Sequence, residues 1–168
     1  PPESDEFNTR HLGLQWQWHA NKKDTYGFTT GLGYIRLYAG SLSKEFVNFW
    51  EVPNLLMQKF PAEEFTATAK LTFTAKQDGE QEQQNPEQVK ELASFPVEYL
   101  KMPGVADNEW KTVYLRVKVT KGAVCTFAYS LNGKKYTTVG DAFTARQGKW
   151  IGAKVGLFCV TPNDGNRG

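Results

Sequence analysis

The sequence predicts an all-β sandwich, and three observations carry that prediction. Two long segments alternate apolar and polar residues with a period of two. No segment sustains the 3.6-residue apolar period of a helix, and Gly, Asn and Pro punctuate the chain at short intervals.

The clearest alternation is Phe65-Thr66-Ala67-Thr68-Ala69-Lys70-Leu71-Thr72-Phe73-Thr74-Ala75. Side chains on a strand point alternately to its two faces, so one face here is apolar and the other polar. The second places Val113, Leu115, Val117 and Val119 on one side, with Tyr114, Arg116, Lys118 and Thr120 on the other. Lys121-Gly122 then turns the chain into a strand over Val124–Leu131. Asn132-Gly133 predicts a two-residue type I′ hairpin, because both residues tolerate positive φ, with the return strand over Lys135–Val139. Ile151–Val160 reads as a buried strand whose Gly152 and Gly156 mark a bulge or a close backbone approach. Leu14–Trp18, Tyr34–Tyr38 and Leu55–Phe60 supply three shorter strands.

A length of 168 residues suits one domain with a real core, residues 1–168, whose opening residues 1–6 are polar and linker-like. Lys76–Glu91 is Gln/Glu-rich with a single apolar residue, Val89, and as a bare loop it is unusually long for a compact domain. It marks residues 77–90 as a flexible lid or a place where ordered chain is missing. After Asn163-Asp164-Gly165 no further strand follows.

Net charge is +2, with Lys and Arg scattered along the chain, which argues against nucleic-acid binding. No apolar run reaches the roughly 18–20 residues that a membrane span requires. Cys125 and Cys159 both sit in apolar runs, where free buried thiols are commoner than a bridge.

Catalytic residues are hard to find. Hydrolysis of a glycosidic bond needs two positioned carboxyl groups flanking it. Glu63 and Glu64 are adjacent, hence on opposite faces of a strand, and Glu80, Glu82, Glu87 and Glu91 fall in the polar segment. No Gly-x-Ser-x-Gly elbow occurs. Aromatic residues, by contrast, make up 14% of the chain, enough both to fill a sandwich core and to offer rings to sugars. Trp16 and Trp18, predicted on one face of one strand, either fill the core or, with Asn21, line a sugar-contacting surface. Trp50, Trp110 and Trp150 read as packing residues near strand margins or the end of the core. Asp5, Glu6, Asn8 and Asp164 are oxygen donors near the two termini of the kind that suit calcium.

Several of these segments, taken in order, resemble the C-terminal module of family 43 glycoside hydrolases, the β-xylosidases and α-L-arabinofuranosidases. They are Asp5–Asn8, Leu12–Asn21, Gly33–Leu37, Asn54–Pro61, Phe65–Ala75 and Gly148–Phe158. The resemblance implies a concanavalin A-like (jelly-roll type) antiparallel β-sandwich with almost no helix. It further implies an accessory module packed beside a five-bladed β-propeller of the same polypeptide, which holds three catalytic acids and works by inversion on xylo- or arabino-oligosaccharides. None of those acids maps onto this chain, in agreement with the search above. In some members a sandwich loop lends an aromatic side chain to the propeller's active site. Asp141–Gly148 is the matching loop here, making Phe143 the candidate. Polymer-derived substrates imply an extracellular or periplasmic setting. After Asp78-Gly79-Glu80-Gln81 the sequence departs from the family's pattern, which continues into a further strand and hairpin. An autonomous carbohydrate-binding module or lectin is the alternative function, motivated by Trp16, Trp18 and the tyrosines.

Overall fold

The computed structural model describes residues 3–41, 52, 54–73, 111–146 and 152–161. The predictions made for Lys76–Glu91, Trp50, Trp110, Trp150 and Asp164 lie outside these residues. Every regular element among the described residues is a strand, and all pairings but one are antiparallel. The chain divides into two compact units.

One unit holds a four-stranded meander. Strands β6 (Phe65–Phe73), β7 (Lys111–Thr120), β8 (Val124–Ser130) and β9 (Thr137–Thr144) lie side by side in chain order. The period-2 pattern fixes the register. Ala67 faces Val117, which faces Phe127, so one side of the sheet collects the apolar residues. Val113, Val117, Val119 and Cys125 are buried there. Thr66, Thr68, Lys70 and Lys118 occupy the exposed side.

The two described turns of this meander, β7–β8 and β8–β9, carry detail beyond the expected pattern. Lys121–Ala123 forms the predicted turn, with the non-glycine Ala123 at a φ of 58°. The β8–β9 hairpin is longer than the two-residue type I′ turn expected. Gly133 has a φ of 70° but Asn132 does not enter the positive region, and the strands resume only at Thr137. Asn132 instead uses Oδ1 to accept hydrogen bonds from the Lys134 and Lys135 amides, at 2.9 and 3.0 Å, and so caps a wider loop. The return strand also outruns its expected end at Val139. Gly140, at a φ of 64°, absorbs a bulge that lets pairing resume at Cys125–Phe143.

The other unit is assembled from short pieces. Strands β1 (Gln17–Trp18), β5 (Leu56–Lys59) and β10 (Lys154–Leu157) form an antiparallel sheet in the order β1-β5-β10. Strands β2 (Gly27–Thr29) and β3 (Ile35–Leu37) pair antiparallel. Strand β4 (Gly40–Ser41) pairs in parallel with β11 (Val160–Thr161). The expected strand over residues 151–160 is thus split, because Phe158 leaves the ladder to join Val52 and Val160 in the core. Gly156 does mark a close approach: a Cβ there would lie 2.9 Å from both the Leu56 carbonyl oxygen and Met57 Cγ. Asn54 is buried, and its Nδ2 donates to the carbonyls of Tyr38 at 3.3 Å and Cys159 at 2.8 Å. Those bonds tie the approaches to β4 and β11 together.

Candidate functional site

The predicted strand over Leu14–Trp18 shrinks to Gln17–Trp18, and the cause lies at Asp5. Its Oδ1 accepts from the Phe7 amide at 2.7 Å, and its Oδ2 from Trp16 Nε1 at 2.8 Å and Gln15 Nε2 at 3.2 Å. The Trp16 ring stacks on Phe7 with centroids 5.6 Å apart. Leu14 and Gln15 form a turn closed by Trp16 N–H to Gly13 O at 3.0 Å. Trp16 therefore precedes the strand rather than sharing a face of it with Trp18.

Trp18, half-buried on β1, tilts against Tyr26 at 5.8 Å, and its indole N–H is buried without a partner among the described residues. Asn21 is exposed. The two tryptophans are thus held by different neighbours. Asp5 already receives three N–H donors that a cation would have to displace. A calcium ion, which takes oxygen ligands, would compete with those donors for the Asp5 carboxylate. Among the described residues no three His, Cys, Asp or Glu side chains gather as a metal site.

Phe143 lies in β9 rather than in a loop, one residue before the strand's end. The bulge at Gly140 is what extends the strand this far. Its ring stacks on Phe127 with centroids 5.6 Å apart and planes 7° from parallel, yet 39% of the residue stays exposed. A large ring left open on the apolar side of a sheet is a ready contact surface. Beside it Cys125 is a buried free thiol whose pKa is pushed up by burial, an effect the Ala145 amide opposes by favouring the thiolate. Cys125 and Cys159 are not bridged to each other. On β10, burial lowers the pKa of Lys154 and the charge of Lys59 across the ladder lowers it further, while Nζ donates to Gln17 Oε1 at 2.7 Å.

Two features escaped the sequence reading. The role of Asp5 as a clamp depends on donors 10 and 11 residues away, and no local pattern announces it. On the exposed side of the meander, Arg116 lies with its guanidinium carbon 3.5 Å from the Tyr136 ring centroid, and its Nε donates to Thr68 Oγ1 at 3.0 Å. Alternation along β7 did place Arg116 on this side, but its partnership with Tyr136 depends on the hairpin's length.

The all-strand, chiefly antiparallel architecture belongs to the concanavalin A-like class of β-sandwich. The chain is a member of the family described as beta xylosidase C-terminal concanavalin A-like domain, which it matches over residues 4–81 and 84–168. A beta-xylosidase of Formosa agariphila is 28% identical over 201 residues, a stretch covering 94% of this chain and 32% of that relative. The chain thus spans about a third of the relative's length. Among the described residues no helix is long and apolar enough to cross a membrane.

Proposed function

We propose that the chain is the accessory module of a xylan-degrading glycoside hydrolase of the β-xylosidase or arabinofuranosidase type. In this reading it packs on a catalytic five-bladed β-propeller of the same polypeptide, acts outside the cytoplasm, and meets xylo- or arabino-oligosaccharides only at the shared pocket. The observation that carries the reading is membership, over nearly the whole chain, in a family described by its C-terminal place in β-xylosidases. The relative named for that activity supports it, since two-thirds of its length lies outside the match. The break in the family match between residues 81 and 84 also supports a difference in length from the family at the Gln/Glu-rich segment.

Surface chemistry offers a contact for the companion domain. Leu14 is 97% exposed and Leu32 78% exposed. Covering a leucine side chain contributes about 1.5–3 kcal/mol, so either side chain would add to the contact if the companion domain covers it. Phe143 is the aromatic side chain offered to the pocket. In the full-length polypeptide, Phe143→Ala is expected to lower kcat/KM on an aryl β-D-xyloside about tenfold, the loss of roughly 1.4 kcal/mol of transition-state contact. An unchanged kcat/KM removes Phe143 from the pocket. Leu14→Asp with Leu32→Asp is expected to loosen the module from the rest of the polypeptide, read by limited proteolysis; an unchanged cleavage pattern removes the leucines from the contact.

A further inference from the structure

Among the described residues, the exposed side of the β6–β9 sheet is one-signed in charge. Lys70, Arg116 and Lys118 all fall on it, by alternation and by the pairs Thr68–Arg116 and Lys70–Tyr114. The four strands contain a single acid, Asp141, which sits in the bulge between Val139 and Phe143, residues of the apolar side. Among the described residues no carboxylate forms an ion pair with these three cations. Arg116 and Lys118 are two residues apart on one strand, about 6.6 Å by the rise per residue. Like charges at that spacing repel, and a bound anion relieves the repulsion.

Arg116 is also pre-ordered. Thr68 Oγ1 holds its Nε, the Tyr136 ring covers one face of the guanidinium, and both Nη nitrogens carry no hydrogen bond among the described residues. A planar fork fixed in this way loses little side-chain freedom on meeting a planar carboxylate, which it matches with two parallel hydrogen bonds. Tyr114 is fixed as well, its ring packed so closely over Gly133 that an added Cβ there would lie 3.0 Å from it. The rest of this side offers hydroxyl groups, those of Thr66, Thr72 and Thr112 among them. Hydroxyls beside cations suit a charged sugar.

We propose that this face binds a uronate-bearing xylan chain. The uronate carboxylate meets the Nη fork of Arg116, flanked by Lys70 and Lys118, and Thr68 and Tyr114 contact sugar hydroxyls. The proposal rests on the glycoside hydrolase reading for its choice of polymer, and it concerns binding at a surface that carries no turnover.

Calorimetry on the full-length protein tests it with three probes: a xylotetraose bearing one 4-O-methylglucuronate, plain xylotetraose, and a short DNA duplex. The uronate-bearing oligomer is expected to bind about tenfold more tightly than the neutral one, with affinity falling as salt rises. Arg116→Gln is expected to remove that preference, with an unchanged thermal midpoint confirming the fold. Lys70→Gln and Lys118→Gln, at exposed positions, are each expected to weaken uronate binding about threefold. Equal binding of the two oligomers, no heat from either, or DNA binding as tight as the uronate's overturns the proposal. So does an Arg116→Gln variant that keeps the preference, or one whose only effect is to release another part of the polypeptide. Turnover of an uncharged aryl β-xyloside by the same protein reads the enzyme assignment separately and is expected to be unaffected by these substitutions. Intact turnover without uronate preference overturns the surface proposal alone; uronate preference without turnover overturns the enzyme assignment alone.

Discussion

The β6–β9 meander and the unit built around β5 solve the same problem with different interactions. In the meander, strands of seven to ten residues pair in long ladders, and alternation sends apolar side chains to one side. Among the described residues of the other unit no strand exceeds four residues. Ladders that short supply few hydrogen bonds, so side chains do the joining: Asn54 to Tyr38 and Cys159, Asp5 to Phe7, Gln15 and Trp16. One region is held by a repeated local rule and the other by a few long-range polar contacts. Stability in the first is therefore spread over many equivalent pairs, and in the second it is concentrated in single residues.

Substitutions should expose that contrast. Gly156→Val places branched carbon against the Leu56 carbonyl and Met57, where even a Cβ has only 2.9 Å. Overpacking of this kind costs about 3 kcal/mol, and chemical denaturation should show it as the largest loss. Asn54→Ala removes the donor of the part-buried Tyr38 carbonyl and one donor of the Cys159 carbonyl, a loss of about 1–2 kcal/mol. Hydrogen exchange should then show the Gly40 amide, which donates to Cys159 O, losing protection while β7 and β8 keep theirs. Equal loss in both regions would contradict the division drawn here.

Within the meander the effects are smaller. Gly140→Ala forces a side chain into left-handed backbone at a φ of 64°, costing about 1–2 kcal/mol and loosening the Cys125–Phe143 pairing. Phe143 should become more accessible to solvent as a result. The smallest effect is one of pH. Burial raises the Cys125 thiol above its usual pKa of 9.0, so the folded state keeps a proton that the unfolded state gives up. The associated stability is complete below pH 9.0 and is lost as pH rises through the raised value. Lys154 acts in the opposite sense, its lowered pKa making stability rise as pH climbs toward 10.5. Thermal midpoints of the protein and a Cys125→Ala variant, compared from pH 8 to 10, isolate the thiol; parallel curves would remove it.

The same contrast explains what the sequence disclosed. Phe65–Phe73 and Lys111–Thr120 were readable because alternation is local and a buried sheet face enforces it. Asn54 and Asp5 were not, since a polar residue's partners 10 to 105 residues away leave no periodic trace. The same clamp shortened the strand expected at Leu14–Trp18, and side-chain capping by Asn132 overrode the hairpin rule for Asn-Gly. Trp16 and Trp18 stood out by residue type and Phe143 by the resemblance of its loop, but their neighbours did not: the stack of Phe143 on Phe127 follows from the bulge at Gly140. Arg116 and Tyr136 meet across a hairpin whose length local rules misjudged.

The central claim, that this chain serves a glycoside hydrolase without carrying its catalysis, is tested most directly by turnover. Hydrolysis of 4-nitrophenyl β-D-xyloside and 4-nitrophenyl α-L-arabinofuranoside would be measured for the full-length polypeptide and for this chain alone. Turnover of at least one substrate by the full-length polypeptide, and none by the chain, is expected. Hydrolysis by the isolated chain, or none by the full-length polypeptide, would contradict it.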